Sequence, residues 1–249
     1  MKDRTVSIVC PAYRCASVIG ETVRSVFAQT YPHWELLIAE DCSPDDTREV
    51  VKRLTGLDPR VKLIPLDSNS GPAMARNAAL ERVQGRWVAF LDSDDLWLPG
   101  KLERCIGFAR ERDAAFVFTG FRRIVPNAAV PGRYIGVPRL LGYRQLLGNT
   151  AIATSTVLLD TDRTGPVRMR NTYYDDFDCW LRILKTGIQA HGLNEDLMRY
   201  RVMDKSVSRN KGRSAVKVWR AYRDLEQLSI PASLWYLSNY AVRGVLKYL

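Results

Sequence analysis

Histidine is nearly absent: His33 and His191 are the only two in 249 residues, which excludes a histidine-rich zinc or haem centre. Cysteine is sparse and badly arranged for cross-linking. Cys10, Cys15, Cys42, Cys105 and Cys179 are odd in number, scattered and without a CxxC pair, so a disulfide framework is excluded and a reducing compartment is expected. No apolar run reaches the ~20 residues that cross a bilayer. The short run Val6 to Cys10 is interrupted by Pro11 and Arg14 before a signal-peptide core can form, so a cytoplasmic location is expected. Internal repeats, low-complexity tracts and linkers are also missing. What remains is an ordinary globular composition, 46% hydrophobic and 26% charged, in a chain long enough for one large core.

The charge is uneven. Of the net +10, a net +8 lies between Arg199 and Leu249. Arg209, Lys211, Arg213, Lys217, Arg220 and Arg223 precede the apolar and aromatic series Leu234-Trp235-Tyr236-Leu237, Tyr240, Val242, Val245, Leu246 and Tyr248. A basic stretch beside such a helix suits peripheral contact with the inner face of the plasma membrane. Packing on the domain, or between subunits of a homo-oligomer, is the alternative.

The first half alternates strand and helix patterns. Val6–Cys10, Trp34–Ala39, Val61–Pro65 and Arg86–Leu91 read as buried strands. Between them lie a helix over Ile19, Val23, Val26 and Phe27, a second capped by Ser43 with Pro44 at its first position, and a third from Gly71-Pro72 to near Gly85. This order predicts an α/β fold with a mostly parallel central sheet flanked by helices, and ligands beyond the carboxyl ends of the strands. In the second half, strands are expected at Ala114–Thr119, Phe121–Val125, Ala151–Leu159, Ile188–Leu193 and Leu197–Val202. A loop is expected over Pro126–Leu140, a helix over Tyr174–Gly187, and a C-terminal helical extension from residue 211. The expected division is a domain of residues 1–210, with halves 1–98 and 99–210, followed by the extension 211–249.

Four segments carry chemistry. Asp92-Ser93-Asp94-Asp95 places three carboxylates where a buried strand ends; a hard divalent cation relieves their repulsion, though an acidic capping turn has the same look. Glu40-Asp41 ends the second strand and either accepts bonds from a nucleoside or caps the next helix. Gly71 to Asn77 offers a helix N-terminus and Arg76, which meets phosphate or solvent. Asp175-Asp176 opens an amphipathic helix, as a general base or as a complement to the helix dipole.

In this order the segments resemble family-2 glycosyltransferases of the GT-A fold, a Rossmann-like architecture, over nearly the whole chain to about Asn210. Pro11-Ala12-Tyr13 looks like the family's nucleotide loop. Ala39-Glu40-Asp41-Cys42-Ser43 is similar to its Asp-Asp-Gly-Ser element, with Glu and Cys substituted for the first acid and the Gly. Phe90 to Asp95 looks like the DXD motif, and Asp175-Asp176 like the Glu-Asp pair. The resemblance implies that Asp41 faces the nucleobase, that Asp92 and Ser93 lie at the donor ribose and metal site, and that Asp94 ligates Mn²⁺ or Mg²⁺. It also implies that Asp176 is the catalytic base, with Arg76 and Asp175 beside the diphosphate or acceptor. Tyr200-Arg201-Val202-Met203 departs from the family's Tyr-Arg-Val-His, and Arg201 or Lys205 is expected to compensate for the histidine. The implied partners are a nucleotide-sugar donor, a UDP-sugar favoured, and a glycan or lipid-linked acceptor, in a metal-dependent inverting transfer. No Gln-x-x-Arg-Trp element of a processive synthase is present. Two rivals fit less well. A sugar nucleotidyltransferase needs a glycine-rich loop after the first strand, where Ala12-Tyr13-Arg14-Cys15 stands. A nucleic-acid module needs basic and aromatic residues interleaved on a sheet, so nucleic acid is not an expected partner.

Overall fold

The computed structural model describes residues 4–125, 130–149, 151–202 and 211–246. Strands β1 (Val6–Ala12), β2 (Trp34–Glu40), β3 (Val61–Pro65) and β4 (Trp87–Phe90) alternate with helices α1 (Ile19–Phe27), α2 (Thr47–Thr55) and α3 (Pro72–Leu80). They pair in parallel in the order β3-β2-β1-β4, with Val6 against Trp34 on one side and against Trp87 on the other. Strands covered on both faces read as continuous apolar runs, which is why their sequences were legible. Side chains of β1 divide by the two-residue period: Val6, Ile8 and Cys10 pack toward α1 and α2, and Val9 toward α3. Three alanines, Ala73, Ala75 and Ala79, form the buried face of α3.

Beyond β4 the sheet turns mixed. The order continues through β9 (Leu158–Asp160), β6 (Phe116–Ile124), β10 (Ala190–Arg201) and β5 (Leu96–Trp97), and β4·β9, β9·β6 and β10·β5 are antiparallel. Among the described residues the two short strands β7 (Tyr134–Ile135) and β8 (Leu140–Leu141) also pair antiparallel, with β6 and β10. The expectation of a mostly parallel sheet holds in the first half and for the long β6·β10 pair, which also runs parallel, while the antiparallel pairs are the short ones. Parallel pairing needs long crossovers, and the two-residue strands of the second half are laid down by short returns.

Several local expectations are corrected. Helix α2 starts at Thr47, not after Ser43, because Cys42 adopts a left-handed conformation (φ 53°) and the chain makes a further turn; Asp45 then accepts from the Thr47 hydroxyl at 2.7 Å. Residues 116–124 form one strand where two were expected. Ala151–Leu159 splits into a 3-10 turn at Thr154–Thr156 and the start of β9. The two extended pieces at 188–193 and 197–202 merge into β10, whose polar residues Asn194-Glu195-Asp196 occupy register shifts against β6. After the one-turn α6 (Thr161–Thr164), helix α7 (Asp175–Lys185) is as expected, with Trp180 fully buried against Phe90 and Phe116.

The C-terminal helices α8 (Lys211–Arg220) and α9 (Ile230–Leu246), joined by a π-helical segment at Ala221–Leu225, pack on the main core. Val218, Ala221 and Tyr222 are buried there, and the Tyr222 hydroxyl donates to the Leu147 carbonyl of α5 (Tyr143–Leu147). Glu226 accepts from Tyr143 at 2.5 Å and pairs with Lys185 of α7 at 2.7 Å. Among the described residues no helix is long and apolar enough to cross a membrane.

Gly85 closes the turn into β4, not α3, which already ends at Leu80; a Cβ there would lie 2.3 Å from the Thr5 carbonyl oxygen. Gly107, exposed in the middle of α4 (Lys101–Glu111), has nothing within 4 Å. Gly85→Ala is therefore expected to cost about 1–3 kcal/mol, whereas Gly107→Ala should stabilise by about 0.5–1 kcal/mol. Urea denaturation of the two variants should move the midpoint in opposite directions.

Candidate active site

The carboxyl ends of β1, β2 and β4 converge on one cleft, completed by the 154–156 turn and the start of α7. At the end of β1, Ala12 accepts from the Asp41 amide at 2.9 Å, so the two strand ends are tied. Tyr13, 41% exposed, projects outward, with Arg14 over its ring at 5.3 Å. Pro11 lies in register with Ala39.

The two acids ending β2 have different surroundings. Glu40 is fully buried, one oxygen accepting from the Ser43 amide at 2.6 Å and the other from Arg48 at 2.6 Å. It braces the loop that Cys42 turns, both carboxylate oxygens being engaged within the chain. Asp41 accepts from the backbone amides of Ser70 (2.8 Å) and Gly71 (2.9 Å) and from the Asn69 side chain (3.2 Å). It thereby clasps the N-terminus of α3, where Gly71 has φ 85°.

Arg76, on the second turn of α3, is the centre of the cleft. Its guanidinium is buried and meets Asp92 at 2.6 Å and Asp175 at 3.2 Å. Burial alone would disfavour the charge, but Asp92 and Asp175 outweigh it and hold the group firmly protonated. Residues 76, 92 and 175 are thus brought together from α3, the end of β4 and the start of α7. The Asp92 amide donates to the Ser155 hydroxyl at 3.0 Å, and the Ser155 carbonyl accepts from the Trp97 indole at 2.8 Å. The carbonyl of Ser93 accepts from Thr22 at 2.9 Å, fixing the acidic loop to α1.

Three carboxyls crowd this loop. Burial and the neighbouring Asp92 push Asp94 up to about 6, against the pull of Arg201. Burial, Asp92 and Asp94 push Asp95 well above the carboxylate range, and its Oδ1 accepts from the Arg201 amide at 2.9 Å. Added positive charge would relieve this repulsion. Among the described residues no group of three His, Cys, Asp or Glu side chains is placed to hold a metal unaided. The donor set fits a hard cation such as Mg²⁺, which takes one or two carboxylates and completes its shell with phosphate oxygens and water.

Asp176 stands in a hollow lined by Leu146, Ile152, Tyr174, Phe177 and Trp180. Burial and Asp175 raise its pKa; the Thr154 hydroxyl, Arg76 and the Phe177 amide oppose the rise. Thr154 donates to Oδ2 at 2.7 Å and the Phe177 amide to Oδ1 at 2.7 Å.

The side chain of Arg201, for which a diphosphate contact is expected, is engaged within the protein. It donates to the Asp94 carbonyl at 2.8 Å and pairs with Glu21 of α1 at 2.6 Å, strapping the end of β10 across the acidic loop. Lys205 and Met203 lie outside the described residues. Sequence reasoning missed Thr154, Ser155, Arg48 and Glu21. The run Thr154-Ser155-Thr156 was the available signal, since hydroxyl residues in series favour turns over the strand expected there.

The family model for glycosyl transferase family 2 matches residues 7–174. A Bacillus subtilis (strain 168) protein provisionally assigned as the teichuronic acid biosynthesis glycosyltransferase TuaG is 42% identical over 98% of this chain and 97% of its own. The Escherichia coli UDP-Glc:alpha-D-GlcNAc-diphosphoundecaprenol beta-1,3-glucosyltransferase WfgD is 35% identical over 100% of this chain and 96% of its own. In fold the chain is similar to the mannosyltransferase PcManGT from Pyrobaculum calidifontis, solved with GDP-Man and Mn²⁺ (TM-score 0.71, 18% identity, 97% of this chain and 74% of that one). It is likewise similar to S. aureus TarS residues 1–349 in complex with UDP-GlcNAc (TM-score 0.69, 18% identity, 95% and 71%). The α/β architecture is thus that of GT-A glycosyltransferases, and a family match over two thirds of the sequence, with full-length relatives at 35–42% identity, makes this chain a glycosyltransferase of family 2.

Proposed function

We propose that the protein transfers a sugar from a nucleotide-diphosphate donor, a UDP-sugar by preference, to a hydroxyl of a lipid-linked glycan during cell-surface polysaccharide synthesis. The observation that carries this reading is the shared guanidinium. By clamping Asp92 and Asp175 together, Arg76 sets the acidic loop at the end of β4 beside Asp176, so that donor and acceptor chemistry meet in one cleft. The UDP-Glc donor and diphosphoundecaprenol-linked acceptor of WfgD support the UDP donor and the diphosphate-lipid acceptor. The domain assignment 1–210 plus 211–249 stays part of this proposal, with the extension packed on the catalytic body.

Asp176 acts as general base. As the acceptor hydroxyl attacks the anomeric carbon, its proton passes to the Asp176 carboxylate; the bond to the diphosphate breaks, and the nucleoside diphosphate leaves with the electron pair, inverting the centre. Mn²⁺ or Mg²⁺ held by Asp94 and Asp92 would supply Lewis-acid neutralisation of the leaving group. Asp41 and the Pro11-Ala12-Tyr13 segment flank the position for the nucleoside. The largely apolar lining around Asp176 and the neighbouring Asp175 favour its neutral form. Activity is therefore expected to fall, as pH drops, at a higher pH than an ordinary aspartate near 4 would dictate.

The outward face of α9 supports a membrane contact. Ser233, Tyr236, Leu237 and Tyr240 face the protein, while Trp235 (67% exposed) and Val242 fall on the opposite side of the helix and the exposed Leu234 lies on its flank. With Lys217 and Arg220 nearby in sequence, this face suits an anionic lipid surface, where a lipid-linked acceptor resides.

Asp176→Asn is expected to lower transfer from UDP-glucose by about 10²–10⁴-fold while leaving donor binding intact; unchanged turnover would remove Asp176 from the mechanism. Asp94→Ala should abolish the Mn²⁺-dependent part of donor affinity, measured by calorimetry with and without the ion. The double substitution Leu234→Ala, Trp235→Ala should weaken flotation with phosphatidylglycerol vesicles about tenfold or more, since each side chain buries ~1.5–3 kcal/mol of apolar contact. Equal flotation would reject the membrane contact. Deleting the extension is the wrong test, because Val218 and Tyr222 belong to the core.

A further inference from the structure

We infer that Thr154 is the positioning residue of the base, its hydroxyl holding the Asp176 carboxylate in the orientation that receives the acceptor proton; the inference rests on Asp176 being that base. No motif contains Thr154. It sits in the 3-10 turn before β9, 6% exposed, and the turn is closed by the Thr156 amide bonding to Ala153 at 2.9 Å and the Val157 amide to Thr154 at 3.1 Å.

The geometry assigns each Asp176 oxygen one anchor. Oδ2 takes the Thr154 hydroxyl at 2.7 Å, from a different segment of the fold, and Oδ1 takes the Phe177 amide at 2.7 Å, from its own helix. An amide on the same helix travels with the residue and cannot fix it relative to the rest of the cleft. The hydroxyl can. Ser155, the next residue, accepts from the Asp92 amide at 3.0 Å and is tied through its carbonyl to the Trp97 indole. One rigid turn therefore touches the base with one residue and the acidic donor loop with the next, setting the distance between the two reacting sides. A carboxylate oxygen has a second lone pair, so both anchored oxygens retain capacity for the incoming proton.

The charged and titratable groups facing Asp176 are Asp175 on its own helix, Arg76 from α3 and the buried Cys179 thiol one turn on. Asp175 and the apolar hollow favour the neutral acid, whereas Arg76 and the two hydrogen bonds favour the ionised one. Removing the hydroxyl shifts the balance toward protonation, and so withdraws base at neutral pH.

The test uses the full chain, free of metal and nucleotide, with aspartate carboxyls labelled with ¹³C. The Asp176 signal is assigned by its loss in Asp176→Asn, and its titration is followed by NMR. Thr154→Val is expected to raise the midpoint by about one pH unit, the scale of one hydrogen bond to a charged group, and Thr154→Ser to restore it to near the wild-type value. Transfer from UDP-glucose to a synthetic α-GlcNAc-diphospholipid should show the same displacement of the acid limb of kcat, with activity recovered at higher pH and KM for UDP-glucose unchanged. A merely structural defect would not be rescued by pH. If Thr154→Val does not fold, Thr154→Ala provides the same readout. An unmoved midpoint in the variant overturns the inference while leaving Asp176 as the base, provided Asp176→Asn is inactive; an active Asp176→Asn overturns the base assignment itself. Equal shifts in Thr154→Val and Thr154→Ser would also overturn it, because packing and not the hydroxyl would then be responsible. The NMR arm does not depend on the identity of donor or acceptor.

Discussion

One buried guanidinium settles the arrangement of this cleft. Arg76 reaches from α3 to Asp92 at the end of β4 and to Asp175 at the start of α7, segments 83 residues apart in sequence. Neither carboxylate could approach the other without it, since like charges at close range in a half-buried site are costly. A planar fork with five donors can serve two acids at once, which a lysine ammonium on its flexible stem does less well. The remaining elements are built around this pairing: the small alanine face that seats α3 on the sheet, the bond from the Asp92 amide to Ser155, and the packing of Trp180 against Phe90 and Phe116 that fixes α7.

Around that centre, other ionic contacts are straps. Glu40 with Arg48 braces the loop after β2, Arg201 with Glu21 binds β10 over the acidic loop, and Arg86 holds Asp160 in a fork at 2.8 and 2.6 Å beneath β4. The first two join segments that the sheet alone leaves free, and the third reinforces the β4·β9 pairing at Trp87 and Asp160. In the β4 loop, Asp94 and Asp95 have no such ion pair among the described residues, and Asp94 is pushed up to about 6. Charge is satisfied where the chain is being held and left in tension where ligand chemistry is proposed, a division that is common at functional sites.

The first half of the fold was legible because its strands are buried on both faces. Val61–Pro65 was placed to the residue, and the other three strands to within one or two positions. The second half was less so, because several of its strands are only two or three residues long, and the long β10 is irregular in register, with the polar residues Asn194 to Asp196 inside it where a loop would be read. Site residues at strand ends were found from the carboxylates themselves. What the sequence could not reveal was which way each side chain turns: Glu40 inward to Arg48, and Arg201 to Glu21 and the Asp94 carbonyl. Thr154 and Ser155 were hidden for a different reason. They were read as strand, and a hydroxyl's role depends wholly on what lies opposite it.

Asp41 grips the first turn of α3 through Ser70 and Gly71, and Arg76 projects from the next turn of the same nine-residue helix. The two ends of the cleft are therefore geared to one another through a single short shaft. The spacing between the Asp41 carboxylate and the Arg76 guanidinium is thereby set by one rigid element, which residues carried on independent loops could not ensure.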